Sequence, residues 1–372
     1  LIPTSIPPSL EKITPMSQLL NGLCPFRVDA EIKGTKTRGI PYIWVMKQHI
    51  LTGLKGMAMG IAEVIPGVSG GTIAFITGIY ERLISTIKAF GPEIVTAWRT
   101  GGISAAWQAI HGPFLLALLA GMSVGIVIGV FGVVHLLEHY PEILWAFFFG
   151  LIVASAVFIG RQVTTWKVTE ILFLGSGVAV AYFITVATPA EGNQQLWFVF
   201  LSGAIAICAL ILPGISGSFI LLLMGMYTFI IPTLKDALRT FDPEKLVIMG
   251  VFGMGCLVGL FAFSRVLSWM FTHHHNKTLA ILTGFMIGSL NKIWPWRVPV
   301  IGYTEEGDLV NWAPGIELDK ILKESRLLPS AYAEQMGDPY IFPALTAMAI
   351  GFALVFVIER LGNHGSSTKG AV

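Results

Sequence analysis

The sequence predicts an all-α integral membrane protein built from two inverted-topology repeats. Each repeat is a broken, re-entrant helix pair followed by three transmembrane helices. Three observations lead there. The 372 residues are 54% hydrophobic and only 12% charged, against about 25% charged in an ordinary soluble domain. Apolar runs of membrane-spanning length recur from about residue 50 to residue 361. One short string occurs twice, 147 positions apart when counted from Ile65 to Leu212. Its copies are Ile65-Pro66-Gly67-Val68-Ser69-Gly70-Gly71-Thr72 and Leu212-Pro213-Gly214-Ile215-Ser216-Gly217-Ser218-Phe219. The register continues to Gly78 and Gly225, and to Tyr80 and Tyr227.

Residues 1–45 are polar, proline-containing and aperiodic, and read as a flexible tail with no assigned function. The first broken pair covers about 49–64 and 71–90, with Pro66 to Gly70 at its tip. Proline and glycine inside an apolar run interrupt the helix and leave backbone amides unpaired, which lipid tolerates only where protein or water covers them. Continuous spans follow at about 113–137, 141–160 and 168–187. A second broken pair covers about 196–212 and 216–234, followed by spans at about 244–271, 277–293 and 339–361. The later spans match more weakly: Trp145-Ala146 and Phe149-Gly150 run parallel to Leu279-Ala280 and Thr283-Gly284. The repeats are therefore 46–190 and 191–372, the second carrying a loop at 294–338.

Parity sets their relation. A half crosses the membrane three times if its broken pair is re-entrant and five times if both limbs cross, and both counts are odd. The second half is then inverted. Limbs of about 16–20 residues fit either case; re-entrant hairpins are the preferred reading. The loops 138–140 and 188–195 carry no Lys or Arg, whereas Lys88, Arg99, Arg161, Lys167, Lys277 and Arg360 fall on the opposite side. By the positive-inside rule both termini are cytoplasmic and loop 294–338 is external. Lys235, Arg239 and Lys245 run against the rule.

A glycine-rich turn that opens a helix points several N–H groups at one spot, and the helix dipole favours an anion there. Ser69, Gly70, Gly71 and Thr72, with Ser216, Gly217 and Ser218 opposite, are the candidate anion-binding residues. Gly70 and Gly217 are expected to supply positive-φ backbone to the two amide nests. The bland alternative is a tight turn with small residues for helix packing; duplication at membrane depth favours the site. Phe219 stands where the first copy has Thr72, so the nests are not equivalent. Glu63 lies in an apolar limb three residues before Pro66, and its counterpart is Leu210. An intramembrane acid is a functional candidate. Its structural alternative is a partner for Lys55 or for free amides at the tip. Arg82 and Arg265 are further phosphate candidates, though such residues also serve as snorkelling cations. His273-His274-His275 reads as an interfacial loop and Trp294-Pro295-Trp296 as an interface anchor. Cys24, Cys208 and Cys256 form neither a disulfide set nor a metal site. No cofactor, catalytic set or nucleic-acid-binding run is expected.

Glu63-Val64-Ile65-Pro66-Gly67-Val68-Ser69-Gly70-Gly71-Thr72, with Gly78-Ile79-Tyr80-Glu81-Arg82 after it, resembles the hallmark of the bacterial polyprenyl-phosphate transporter family. Leu212 to Ser218 matches that family's second signature, and Gly288-Ser289-Leu290 through Trp294-Pro295-Trp296 its downstream motif. The resemblance spans about residues 50–361. It implies a flippase in the bacterial plasma membrane that returns undecaprenyl phosphate, a carrier lipid for cell-wall glycans, from the outer to the inner leaflet. It also implies coupling to protons, for which Glu63 is the candidate group. Two rival readings stand beside it. A membrane-embedded polyprenyl-pyrophosphate phosphatase shares a Pro-Gly-x-Ser motif but needs an Arg after the Ser and paired acids, where this chain has Gly70 and Gly217. A small-anion channel or exchanger would use the same helix dipoles.

Overall fold

The computed structural model of the chain describes residues 40–65, 68–304, 309–313, 316, 318 and 320–364. Most of the expected tail and the Pro66-Gly67 tip lie outside these residues. Helix α1 (Ile40–Glu63) leads into the first signature, and the short helices α2 (Gly70–Ile76) and α3 (Tyr80–Lys88) follow it. The second signature repeats the order with α9 (Leu196–Ile211), α10 (Gly217–Leu223) and α11 (Tyr227–Thr240). Each second limb, expected as one helix, is thus two. The cause is Gly78 at φ 70° and Gly225 at φ 67°. These are left-handed backbone positions that glycine adopts without a Cβ penalty, and the next helix starts two residues later, at Tyr80 or Tyr227. Helices α10 and α11 meet at 114°.

Helix α4 (Pro92–Ala109) was not expected. It buries no residue, exposes Trp98 and Ile103, and bends at Gly102, where φ is 69°. The long spans fall close to their expected places. They are α5 (Gly112–Ile128) continuing through a π turn (Gly129–Val133) into α6 (Val134–His139), then α7 (Pro141–Gly160) and α8 (Val168–Val186). In the second half they are α12 (Pro243–His273), α13 (His275–Ser289) and α15 (Ile341–His364). Among the described residues five segments are long and apolar enough to cross a membrane, or six if the bent pair α10–α11 is one span.

Among the described residues the chain departs from a purely helical fold in one place. Loop 294–338 holds a three-stranded antiparallel sheet, β2-β1-β3, from β1 (Arg297–Tyr303), β2 (Leu309–Asn311) and β3 (Lys320–Arg326), and then α14 (Pro329–Met336). The run Val298-Pro299-Val300-Ile301 carries β-branched residues suited to a pleated surface. Trp296, Val298 and Tyr332 bury one side of this unit against Ala146 of α7 and Ala344 of α15.

Four helix pairs form the body: α1 on α5, α9 on α12, α7 on α15, and α8 on α13. The first two pairs lie within their own halves and occupy equivalent places. The last two are exchanged, so a helix of each half packs on a helix of the other. Small residues allow these approaches, as is usual between helices in lipid. A Cβ on Gly121 of α5 would collide with the Gly53 carbonyl of α1, and one on Gly255 of α12 with the Phe200 carbonyl of α9. The main core joins α1–α3 to α7, α12 and α13, with Tyr80, Phe75 and Phe271 forming an aromatic cluster behind the first signature.

Candidate functional site

The two signatures are in direct contact. Ser69 caps α2, its Oγ accepting from the Gly71 N–H at 3.1 Å. The same hydroxyl faces two carbonyls of the other half and can donate to Leu212 at 3.1 Å or Leu210 at 3.3 Å. The Gly214 N–H donates to Thr72 Oγ1 at 3.0 Å, and Tyr80 Oη donates to the Ile211 carbonyl at 3.1 Å. The bonds of the first copy's hydroxyls to the second half run over buried or half-buried ground, with Ser69, Thr72 and Tyr80 at most 2% exposed.

The first amide nest is already occupied by the protein itself. Glu63 Oε1 accepts from the Gly70 N–H at 2.8 Å, and Thr72 N–H donates to the Ser69 carbonyl. Lys55 does not pair with Glu63; its ammonium donates to the Thr77 carbonyl at 2.6 Å. The second copy has Leu210 where Glu63 stands, and Ser216 makes no capping bond to α10; its hydroxyl instead meets that of Ser218 at 2.9 Å. The inequivalence expected from Phe219 is therefore larger than one residue.

One expectation fails. Positive φ belongs to Gly78, Gly214 and Gly225, not to Gly70 or Gly217. The latter two are the first residues of their helices, where α-helical backbone suffices. They are small for another reason: a Cβ at Gly217 would lie 2.6 Å from the Ala206 carbonyl, and one at Gly70 would strike the Glu63 carboxylate.

Neither arginine singled out in the sequence joins this contact. Arg82 lies over the Phe114 ring at 4.3 Å. Arg265 donates to the Phe261 carbonyl of its own helix at 2.8 Å and packs beside Gly91. The cations near the second signature are others. Lys292 stands 4.8 Å over the Phe219 ring and pairs with Glu324 Oε2 at 2.8 Å. Arg297, 4.1 Å over Trp145, reaches the same oxygen at 3.0 Å. Arg326 donates to the Asn291 carbonyl at 2.6 Å. Burial alone would raise the Glu324 carboxyl, but Arg297 and Lys292 hold it below the usual glutamate range. The signal in the sequence was local: Lys292 and Arg297 bracket the Trp294-Pro295-Trp296 anchor at the end of an apolar span. Glu324 and Arg326, about thirty residues on, carry no such mark.

Two cavities open at this cluster. One of about 510 Å³ lies between α7, α10 and the sheet unit, touching Trp145, Ser218, Phe219, Lys292 and Arg297. The other, about 770 Å³, lies between the α8–α9 connection, α10–α11 and the sheet, touching Gly225, Thr228 and Arg326. Phe219, Lys292 and Glu324 border both. A very small pocket carries Lys292 on to Gly214, Ile215 and Ser216. No group of three or more metal-ligating side chains occurs among the described residues. The arrangement can hold an anionic headgroup against cations and hydroxyls while its apolar walls take a hydrocarbon chain.

A family model described as undecaprenyl phosphate translocase-like matches residues 59–308. A polyprenyl-phosphate transporter of Vibrio cholerae is 45% identical over 314 residues, which is 84% of this chain and 96% of the relative. A polyprenyl-phosphate transporter of Staphylococcus aureus is 30% identical over 267 residues, 65% of this chain and 85% of the relative. No solved structure matches the chain.

Proposed function

The chain belongs to the undecaprenyl phosphate translocase-like family, and from that premise we propose that it carries a polyprenyl phosphate across the bacterial plasma membrane. The substrate is undecaprenyl phosphate or a close relative, moved from the outer to the inner leaflet. The two halves act as inverted repeats, and their signatures form the crossing point near the bilayer midplane. The observation that carries this reading is the direct hydrogen bonding between the signatures, Thr72 to Gly214 and Ser69 to Leu212. Inverted repeats of a transporter meet at their broken helices, where the substrate site is built. Ser216, Gly217 and Ser218 are the open side of that site; Ser69, Gly70, Gly71 and Thr72 are the side closed by Glu63.

Glu63 is the coupling group in this reading. Its carboxylate sits on the Gly70 N–H, where a phosphate oxygen would otherwise bind. While charged it competes with the substrate and repels it; protonated, it does neither. Protonation from the acidic exterior admits the lipid, and deprotonation inside expels it. Arg82 and Arg265 are given no part in the crossing point. Hydrolysis of a pyrophosphate lipid is disfavoured because no Arg follows either signature serine.

The test is transport of polyprenyl phosphate in proteoliposomes under an imposed pH gradient. Wild type should respond to the gradient. Glu63→Gln should bind the lipid at least as well but transport it independently of the gradient. Normal gradient-following by Glu63→Gln would make Glu63 structural and move coupling elsewhere.

A further inference from the structure

Two buried side-chain atoms without a hydrogen-bond partner belong to residues that line the cavity between α7, α10 and the sheet: Arg297 Nε, a donor, and Glu142 Oε2, an acceptor. Both belong to enclosed side chains. Arg297 is 7% exposed, and Glu142 is 6% exposed with its other oxygen taken by the Tyr332 hydroxyl. A buried guanidinium nitrogen and a buried carboxylate oxygen each cost free energy when left unpaired. A ligand that offers one anionic oxygen and one O–H satisfies both. A phosphomonoester carrying one proton is such a group.

Charge points the same way. Lys292 and Arg297 share a single carboxylate oxygen of Glu324, and Arg326 lies two residues further along β3. Three cations thus stand around Glu324 where the two cavities meet, while Glu142 and Glu191 lie elsewhere on the cavity walls. Partly buried cations that outnumber the carboxylate they share can take a further anion in its place. Next to them, Trp145, Phe219 and Leu222 supply apolar wall suited to the first isoprene units of a lipid tail.

We propose that this cavity is a capture site for the headgroup of a phosphomonoester lipid, adjoining the crossing point at Ser218 and emptying into it. Arg297 and Lys292 take the anionic oxygens, Glu142 accepts from the phosphate O–H, and Glu324 is the placeholder that the headgroup displaces. Lys292, which also borders the small pocket at Gly214 and Ser216, hands the phosphate to the second signature. The proposal rests on the transport reading for the identity of the lipid alone.

The experiment measures binding of farnesyl monophosphate, farnesol and inorganic phosphate to the detergent-purified chain. Wild type, Lys292→Gln and Glu324→Gln are compared, with Arg326→Gln as a second cation variant should Lys292→Gln not fold. Farnesyl monophosphate should bind about tenfold more weakly to Lys292→Gln, as expected for one lost charge-assisted bond. It should bind more tightly to Glu324→Gln, whose placeholder is gone. Farnesol should bind without regard to either change. Unchanged farnesyl monophosphate binding across the variants overturns the capture site, and so does a response confined to inorganic phosphate. Gradient-driven transport by the wild-type protein is scored separately. Its failure overturns the transport reading while the binding series still decides the capture site.

Discussion

Gly214 sits in left-handed backbone at φ 85°, and a Cβ there would lie 2.9 Å from Ser289 Oγ and 3.1 Å from the Phe285 carbonyl. Its N–H also makes the bond to Thr72 that ties the halves together. Any side chain at this position is strained and crowded at once. Gly214→Ala should therefore destabilise the fold by about 1–3 kcal/mol. Gly250 makes the contrast: it lies in α12 with open space around the position of a Cβ and ordinary helical backbone. Gly250→Ala should be neutral or stabilising by up to about 1 kcal/mol. Thermal unfolding in detergent, read for both variants beside wild type, checks the pair. Equal behaviour would mean that the turn at Gly214 carries no special constraint.

The sheet unit is an element held by charge as much as by packing. Glu324 accepts from Lys292 and from Arg297, while Trp296 Nε1 donates to the Pro339 carbonyl at 2.8 Å and Trp294 Nε1 to the Leu327 carbonyl at 2.9 Å. A carboxyl whose folded value lies below its unfolded one stabilises the fold above the ordinary glutamate range. That contribution is lost as pH falls through the depressed value. Protection of β1 and β3 against hydrogen exchange, taken relative to the intrinsic rate at each pH, should therefore be high at neutral pH and fall as the pH drops below the ordinary glutamate range. Glu324→Gln should exchange faster already at neutral pH, since removing one partner of a buried ionic cluster costs on the order of 3 kcal/mol. It should also lose the acid-induced step. An acid step of wild-type size in that variant would assign the pH response to another group.

At the scale of the whole molecule, the exchanged pairs α7–α15 and α8–α13 bind the halves while α1–α5 and α9–α12 stay within them. This division suits a carrier in which two equivalent units rock against a shared scaffold about the signature contact. The proposed orientation places both termini in the cytoplasm and the sheet unit with α14 outside. Ser330 is exposed at the start of α14. In cells, Ser330→Cys on a background with Cys24, Cys208 and Cys256 replaced should react with a membrane-impermeant maleimide added externally. Labelling only after the membrane is opened would reverse the orientation.

The sequence by itself determined the class, the order of the spans and the place of the paired signatures. Apolar length and helix-breaking residues are local properties, and they act before any tertiary contact. It also separated Glu63 from Leu210, an asymmetry that the fold uses directly at the Gly70 N–H. Other features were beyond it. The second break at Gly78 and Gly225 lies in residues whose pairing was visible but whose positive φ was not, since glycine permits that conformation without requiring it. The sheet in loop 294–338 arose from a mixed, charged stretch whose strands become stable only against α7 and α15. The cation cluster was the largest omission. Lys292, Arg297 and Arg326 meet around Glu324 through antiparallel pairing of β1 with β3 and through the turn after α13. Electrostatic partnership across some thirty residues depends on distance in space, and only the tertiary structure sets that distance.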